Sequence, residues 1–153
     1  ALLMFITDVL ALGLDAAQGL FVTNSFYWDL NQDTRAWTQR FIARKNQFPT
    51  MNQAATYACL RHYLRAVQNA GSTEAPVVAG AMHALPVSDM YNKDVRIRED
   101  GRVLSTMYLM QVKTLSESAS RGDVYRTVST TPGDDAFRPL ADSDCPLVKR
   151  QRT

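Results

Sequence analysis

Histidine, cysteine and paired carboxylates are the side chains from which catalytic and metal centres are built, and here none of them falls at a working spacing. Cys59 and His62 stand one helical turn apart, but zinc needs three or four ligands and neither His83 nor Cys145 is near in sequence. The carboxylate pairs Asp134-Asp135 and Glu99-Asp100 both fall in turns, where Asp is favoured for hydrogen bonding to its own backbone. The sequence has no G-x-S-x-G, no Walker loop and no G-x-G-x-x-G, so nucleophile elbows and phosphate cradles are unsupported. The reading is therefore of a protein that is not an enzyme and needs neither cofactor nor metal.

What remains are hydroxyl, aromatic and amide side chains at the ends of segments: Thr7 and Asp8 at a helix start, Tyr27 and Trp28 in a connection, Asn52 and Gln53 at another helix start. Such groups suit binding better than bond-making. Helix N-termini offer free backbone N–H groups to carboxylates, and aromatic rings offer apolar walls.

The elements that must position these residues follow from periodicity. Asp8 to Gln18 reads as a helix, and Leu20 to Thr23 as a strand rich in β-formers. Asn24 to Leu30 stacks three aromatics in a connection and should pack rather than face water. Asp29 and Asp33 precede a helical pattern with Trp37 and Phe41 four apart, and Arg40, Arg44 and Lys45 gather at its end, as the helix dipole favours. Thr50-x-x-Gln53 is a capping box opening a helix to about Asn69, with Gly71 just past its end. Its stripe of Tyr57, Leu60, Leu64 and Val67 is expected to face the core, with Cys59 a buried thiol and His62 on the helix surface or at a lobe interface.

Thr73 and Pro76 start a further helix with Val77, Val78, Ala81, Met82 and Leu85 inward, and Pro86 stops it. Val95 to Arg98 and Val103 to Lys113 form an expected hairpin about Asp100-Gly101. Met107 to Met110, apolar on both faces, suits a central strand, and Val124 to Val128 a last strand. No period is visible from 131 to 153, and Cys145 in that segment is expected to be beyond disulfide reach of Cys59.

Bulk properties bound the answer. The 153 residues are 46% hydrophobic with net charge +2, enough for a real core and too evenly spread for a nucleic-acid footprint. Asp8 and Asp15 interrupt the apolar opening, so a membrane span is not expected there. The chain opens inside a hydrophobic segment without a methionine, which predicts that Ala1 is a truncation or proteolytic boundary.

These segments converge on a family. Phe5-Ile6-Thr7-Asp8, Ala16-Ala17-Gln18-Gly19-Leu20, Phe26-Tyr27-Trp28-Asp29-Leu30-Asn31, Pro49-Thr50-Met51, His62-Tyr63-Leu64, Ile97-Arg98-Glu99-Asp100-Gly101-Arg102 and Phe137-Arg138-Pro139-Leu140 run in the order of the type I, branched-chain amino-acid periplasmic binding proteins. The chain resembles that family, particularly its aromatic-acid subgroup, over nearly its whole length. The resemblance implies an α/β fold, the C-terminal half of a two-lobe clamshell. Residues 1–24 would be a second-lobe portion, 25–103 a first-lobe portion, 104–130 second-lobe strands and 131–153 an extended C-terminal tail. By position, Asp8 resembles the acidic residue that relatives keep for a ligand ammonium, and Met51, Asn52 and Gln53 the helix start that lines the cleft.

The implied function is the extracytoplasmic substrate-binding component of an ABC importer, taking a small amino acid or aromatic carboxylate to the permease subunits. Thr7, Asp8, Tyr27, Trp28, Met51, Asn52 and Gln53 are the expected ligand-binding residues. The implied location is the periplasm, with a signal peptide in a missing N-terminal part, and no nucleic acid is an expected partner. Two alternatives remain open, a ligand-sensing domain of a receptor or regulator and a small hydrolase using Asp8 and a histidine. A fragment of such a clamshell is expected to associate with its N-terminal half or with a second copy, because strands starting at Leu20 and Met107 would leave unpaired edges.

Overall fold

The computed structural model describes residues 3–149, which fall into two compact units, residues 3–55 with 107–131, and residues 56–106 with 132–149. In chain order the elements are α1 (Ile6–Leu12), α2 (Leu14–Ala17), β1 (Phe21–Asn24), α3 (Gln32–Lys45), α4 (Met51–Ala70), α5 (Ala75–Ala84), β2 (Met107–Val112), β3 (Tyr125–Thr131), α6 (Gly133–Ala136), a 3-10 turn (Leu140–Asp142) and α7 (Pro146–Lys149).

The first unit is built on a three-stranded antiparallel sheet of order β1-β2-β3, with Val22 opposite Met110 and Met110 opposite Thr127. The doubly apolar β2 is central, as its composition predicts. A bulge between Leu109 and Met110 shifts the register against β3. Ile6, Val9, Ala17, Val22, Met110, Val112 and Val124 form the core, with Tyr27 and Tyr125 packed among them. The single helix expected over Asp8–Gln18 is two helices, because Gly13 takes φ 82°, a region open to glycine and costly for other residues. In α3, Asn31 supplies the N-cap, accepting from the Thr34 N–H at 3.0 Å, and Arg44 and Lys45 close the last turn.

Helix α4 starts where the capping box places it. The Gln53 N–H donates to Thr50 Oγ1 at 3.3 Å and the Thr50 N–H to Gln53 Oε1 at 2.9 Å. It ends at Ala70 before Gly71, whose φ is 60°. Its expected inward stripe is corrected: Leu60 and Leu64 are 57% and 55% exposed, Tyr57 is exposed, and the buried side is Ala54, Ala58, His62 and Ala66. The buried side of the helix is thus its small side chains and His62, and Tyr57, Leu60 and Leu64 are exposed. Cys59 is accordingly exposed rather than buried, and both cysteines are free thiols. His62 is buried, its Nε2 3.0 Å from the Met82 carbonyl of α5.

The second unit also contains α5, whose Val78 is buried while the expected inward Val77 is exposed. The Asp100-Gly101 hairpin is tight but short: Arg98 N–H bonds Arg102 O at 2.9 Å, Gly101 takes φ 80°, and a single bridge joins Ile97 to Val103. Two polar clusters hold this region. Asp89 accepts from the N–H groups of Tyr91 and Asn92, and the Asn92 amide binds both Asp89 and Ser105. The Arg98 guanidinium donates to both Asp100 carboxylate oxygens, at 2.9 and 2.7 Å, and to the Arg138 carbonyl. The segment expected to be extended instead holds three short helical turns over residues 133–149.

Candidate functional site

The first unit carries a cavity of about 320 Å³. Leu10 and Ala11 from α1, Ile42 from α3, and Phe48 form its apolar side. Thr7, Asn46, Gln47 and Arg121 supply its polar groups. Asn46 is the left-handed C-cap of α3, at φ 51°, a conformation that Asn tolerates better than most residues. An apolar side with a few polar groups and one cationic side chain is the general layout of a small-molecule pocket.

Arg121 sits on the loop between β2 and β3, and that loop is held at the adjacent residue, Gly122. The Gly122 carbonyl accepts from the Tyr27 hydroxyl at 2.8 Å and from Trp28 Nε1 at 2.7 Å. The Phe48 ring lies against the Gly122 Cα so closely that a Cβ there would overlap it. Lys113 pairs with Asp123 at 2.5 Å, and the Ala119 N–H donates to the same carboxylate. Burial raises the pKa of Asp123, but the hydrogen bonds from Ala119 and Lys113 outweigh it and the carboxyl ends below its ordinary value. The Tyr27 oxygen also accepts from the Val124 and Tyr125 N–H groups, at 3.1 and 3.4 Å. Burial pushes the Tyr27 phenol up to about 12, and the Tyr125 phenol rises for the same reason.

The expected binding residues are thus dispersed. Thr7 lines the cavity. The Asp8 carboxylate accepts from the Phe5 N–H at 2.8 Å and serves the start of α1. Tyr27 and Trp28 are brought together, with their polar atoms directed to Gly122 rather than outward. Met51, Asn52 and Gln53 form the first turn of α4, where the Gln53 side chain is engaged with Thr50. Sequence reasoning misses Phe48, Asn46 and Arg121. Arg121 lies in a polar stretch that reads as mere connection, and its anchor joins residues 95 positions apart. The available signal is the aromatic cluster Phe26–Trp28, which has to pack on something.

A family model described as periplasmic binding protein matches residues 1–123. A periplasmic binding protein structure from Burkholderia mallei is 44% identical with a TM-score of 0.92, the match covering 96% of this chain and 39% of that one. A branched chain amino acid ABC transporter periplasmic ligand-binding protein from Burkholderia xenovorans LB400 is 34% identical with a TM-score of 0.88, covering 94% and 38%. A solute binding protein of an ABC transporter from Rhodopseudomonas palustris BisB5, in complex with 3,4-dihydroxy benzoic acid, shares the fold at 15% identity and a TM-score of 0.70, covering 89% and 36%. No curated protein sequence matches the chain. The chain therefore spans less than two fifths of the length of these relatives. With the family model matched over residues 1–123 and 44% identity to a solved member, the chain belongs to the periplasmic binding protein family and carries part of its type I α/β fold.

Proposed function

We propose that this chain is part of the extracytoplasmic substrate-binding component of an ABC importer, which takes up a small amino acid or aromatic carboxylate in the periplasm and presents it to the permease subunits. The observation that carries the reading is the 44% identity, over 96% of the chain, to a periplasmic binding protein. The 34% identical relative, named for a branched chain amino acid ABC transporter, supports the transporter assignment. The cavity beside α1, with its apolar side and its arginine, supports an amphiphilic anionic ligand. In this reading Thr7, Asp8 and the first turn of α4, Met51 to Gln53, lie about the ligand, and Tyr27 and Trp28 support it from behind.

A thermal-shift panel of amino acids and aromatic carboxylates on the protein that carries this chain tests the proposal. A ligand present at a hundred times its Kd stabilises the bound form by about 2.7 kcal/mol, which moves a melting transition visibly. A panel in which no member raises the transition, in agreement with blank calorimetric titrations, would sink the assignment.

A further inference from the structure

The Asp100-Gly101 pair at the tip of the hairpin in the second unit holds both reactants of a step that proteins undergo without an enzyme. The Gly101 backbone nitrogen can attack Cγ of the neutral Asp100 carboxyl, because glycine has no Cβ to shield its amide. A C–N bond forms and a C–O bond breaks, and the carboxyl hydroxyl leaves as water with the proton of the Gly101 amide. A second water then opens the cyclic imide at either carbonyl. One opening restores aspartate, and the other gives isoaspartate, in which the backbone runs through the side chain.

In this fold one residue engages both reactants. The Gly101 N–H donates to the Arg98 carbonyl at 2.7 Å, while the Arg98 guanidinium donates from Nε and Nη2 to the two Asp100 carboxylate oxygens at 2.9 and 2.7 Å. The amide is therefore turned to a carbonyl, and the carboxyl is kept as an anion with no hydroxyl to lose. Arg98 is itself held, since its Nη1 donates to the Arg138 carbonyl at 2.9 Å and the paired Arg98 and Asp100 side chains are only 16% and 14% exposed. A further donor, the Arg102 N–H, reaches Asp100 Oδ1 at 3.3 Å. The charged side chains about this pair are Arg98, Arg102 and Arg138 with Glu99, Asp134 and Asp144. Of these, the hydrogen bonds from Arg98 do most to hold the carboxyl below its ordinary value.

We propose that Asp100-Gly101 is a latent isoaspartate site and that Arg98 silences it, its guanidinium by holding the carboxylate and its carbonyl by holding the amide. Conversion would have a defined local consequence. The extra backbone carbon at 100 would open the turn that the Arg98 N–H closes on Arg102 O, and Arg98 would lose the partner that orients it towards the Arg138 carbonyl. None of this depends on which ligand the protein takes.

Incubation of the full protein that carries this chain, followed by peptide mapping, tests the role of Arg98, because isoaspartate separates from aspartate at unchanged mass. With the Asp100 carboxyl lowered from 3.8 to about 2, its neutral fraction at about pH 5 falls by more than about tenfold. Isoaspartate at residue 100 should therefore form at least about tenfold more slowly in the folded wild type than in the same protein unfolded in guanidinium chloride. Arg98→Gln should raise the folded rate by about tenfold or more, Arg98→Lys should fall between, and Arg102→Gln, which keeps its backbone N–H on Asp100, should leave it unchanged. A hairpin merely kept still by Arg98 would also convert slowly, and the wild-type pH profile, which needs no variant to fold, separates the two. A carboxyl held as the anion makes the rate keep rising as pH falls from 4 towards 2, whereas one of ordinary pKa makes it level off near 4. Folded wild type converting as fast as the unfolded chain, a Gln variant as slow as wild type, or a wild-type profile that levels off near pH 4 would each overturn the assignment.

Discussion

Tyr27→Phe removes one oxygen atom from the centre of the first unit and should be felt in two ways. The hydroxyl is buried, donates to Gly122 and accepts from Val124 and Tyr125. The Gly122 carbonyl keeps its bond from Trp28, and the Val124 N–H keeps one to Gly122 O at 3.0 Å. The loss therefore falls on the bonds of the phenol itself, and the expected cost at neutral pH is about 1–3 kcal/mol. The second effect is a pH dependence. Burial raises the phenol from its ordinary value of 10.0 to about 12. A pKa that is higher in the folded state contributes stability that is fully present below pH 10 and is lost as pH rises towards 12. The raised value corresponds to roughly 2–3 kcal/mol across that window. Urea unfolding followed by circular dichroism, run at steps from pH 7 to 12, should show wild type losing stability above pH 10 and the variant losing less. Tyr125, raised in the same sense, keeps the variant from being flat. Equal stabilities at pH 7, or a gap between the two proteins that stays constant from pH 9 to 12, would refute the account of Tyr27 as a buried anchor.

Other expectations are simpler. Thr50→Ala should destabilise the start of α4 by about 1 kcal/mol in urea melts, through loss of the capping hydroxyl, and Thr50→Ser should retain most of it. Asp100 is held down to about 2 by hydrogen bonds from Arg98, so its contribution is present above pH 4 and fades as pH falls towards 2; an NMR titration that finds its carboxyl at the ordinary Asp value would contradict the Arg98 pairing. The exposed Cys59 should react with a thiol reagent in the native protein faster than the half-buried Cys145, and the reverse order, read by peptide mass, would overturn the orientation of α4.

Local chemistry is legible in the sequence where one residue decides the outcome. Thr50 and Gln53 mark the start of α4 and Gly71 its end, Gly101 marks the hairpin turn, and the doubly apolar Met107–Met110 marks the central strand. The facing of α4 is misread because periodicity weights large apolar side chains, whereas the buried positions are the small Ala54, Ala58 and Ala66, with Leu60 and Leu64 exposed. The break at Gly13 escapes because the apolar pattern runs through it, and only the positive φ separates the two helices. The cavity is legible only in part. Thr7 is flagged by its place at a helix start, but Arg121 and Phe48 acquire their relation through Gly122, and no spacing rule reaches across that much chain.

The crowding at Gly122 constrains how this sequence can drift. Any side chain there meets the Phe48 ring, so a substitution at 122 becomes tolerable only after Phe48 has become smaller, and a smaller residue at 48 leaves a void beneath Trp28 until 122 has changed. Each single step is deleterious and the pair together is less so, which is non-additivity between contacting residues. Residues 28, 48 and 122 should therefore change as a set over evolutionary time.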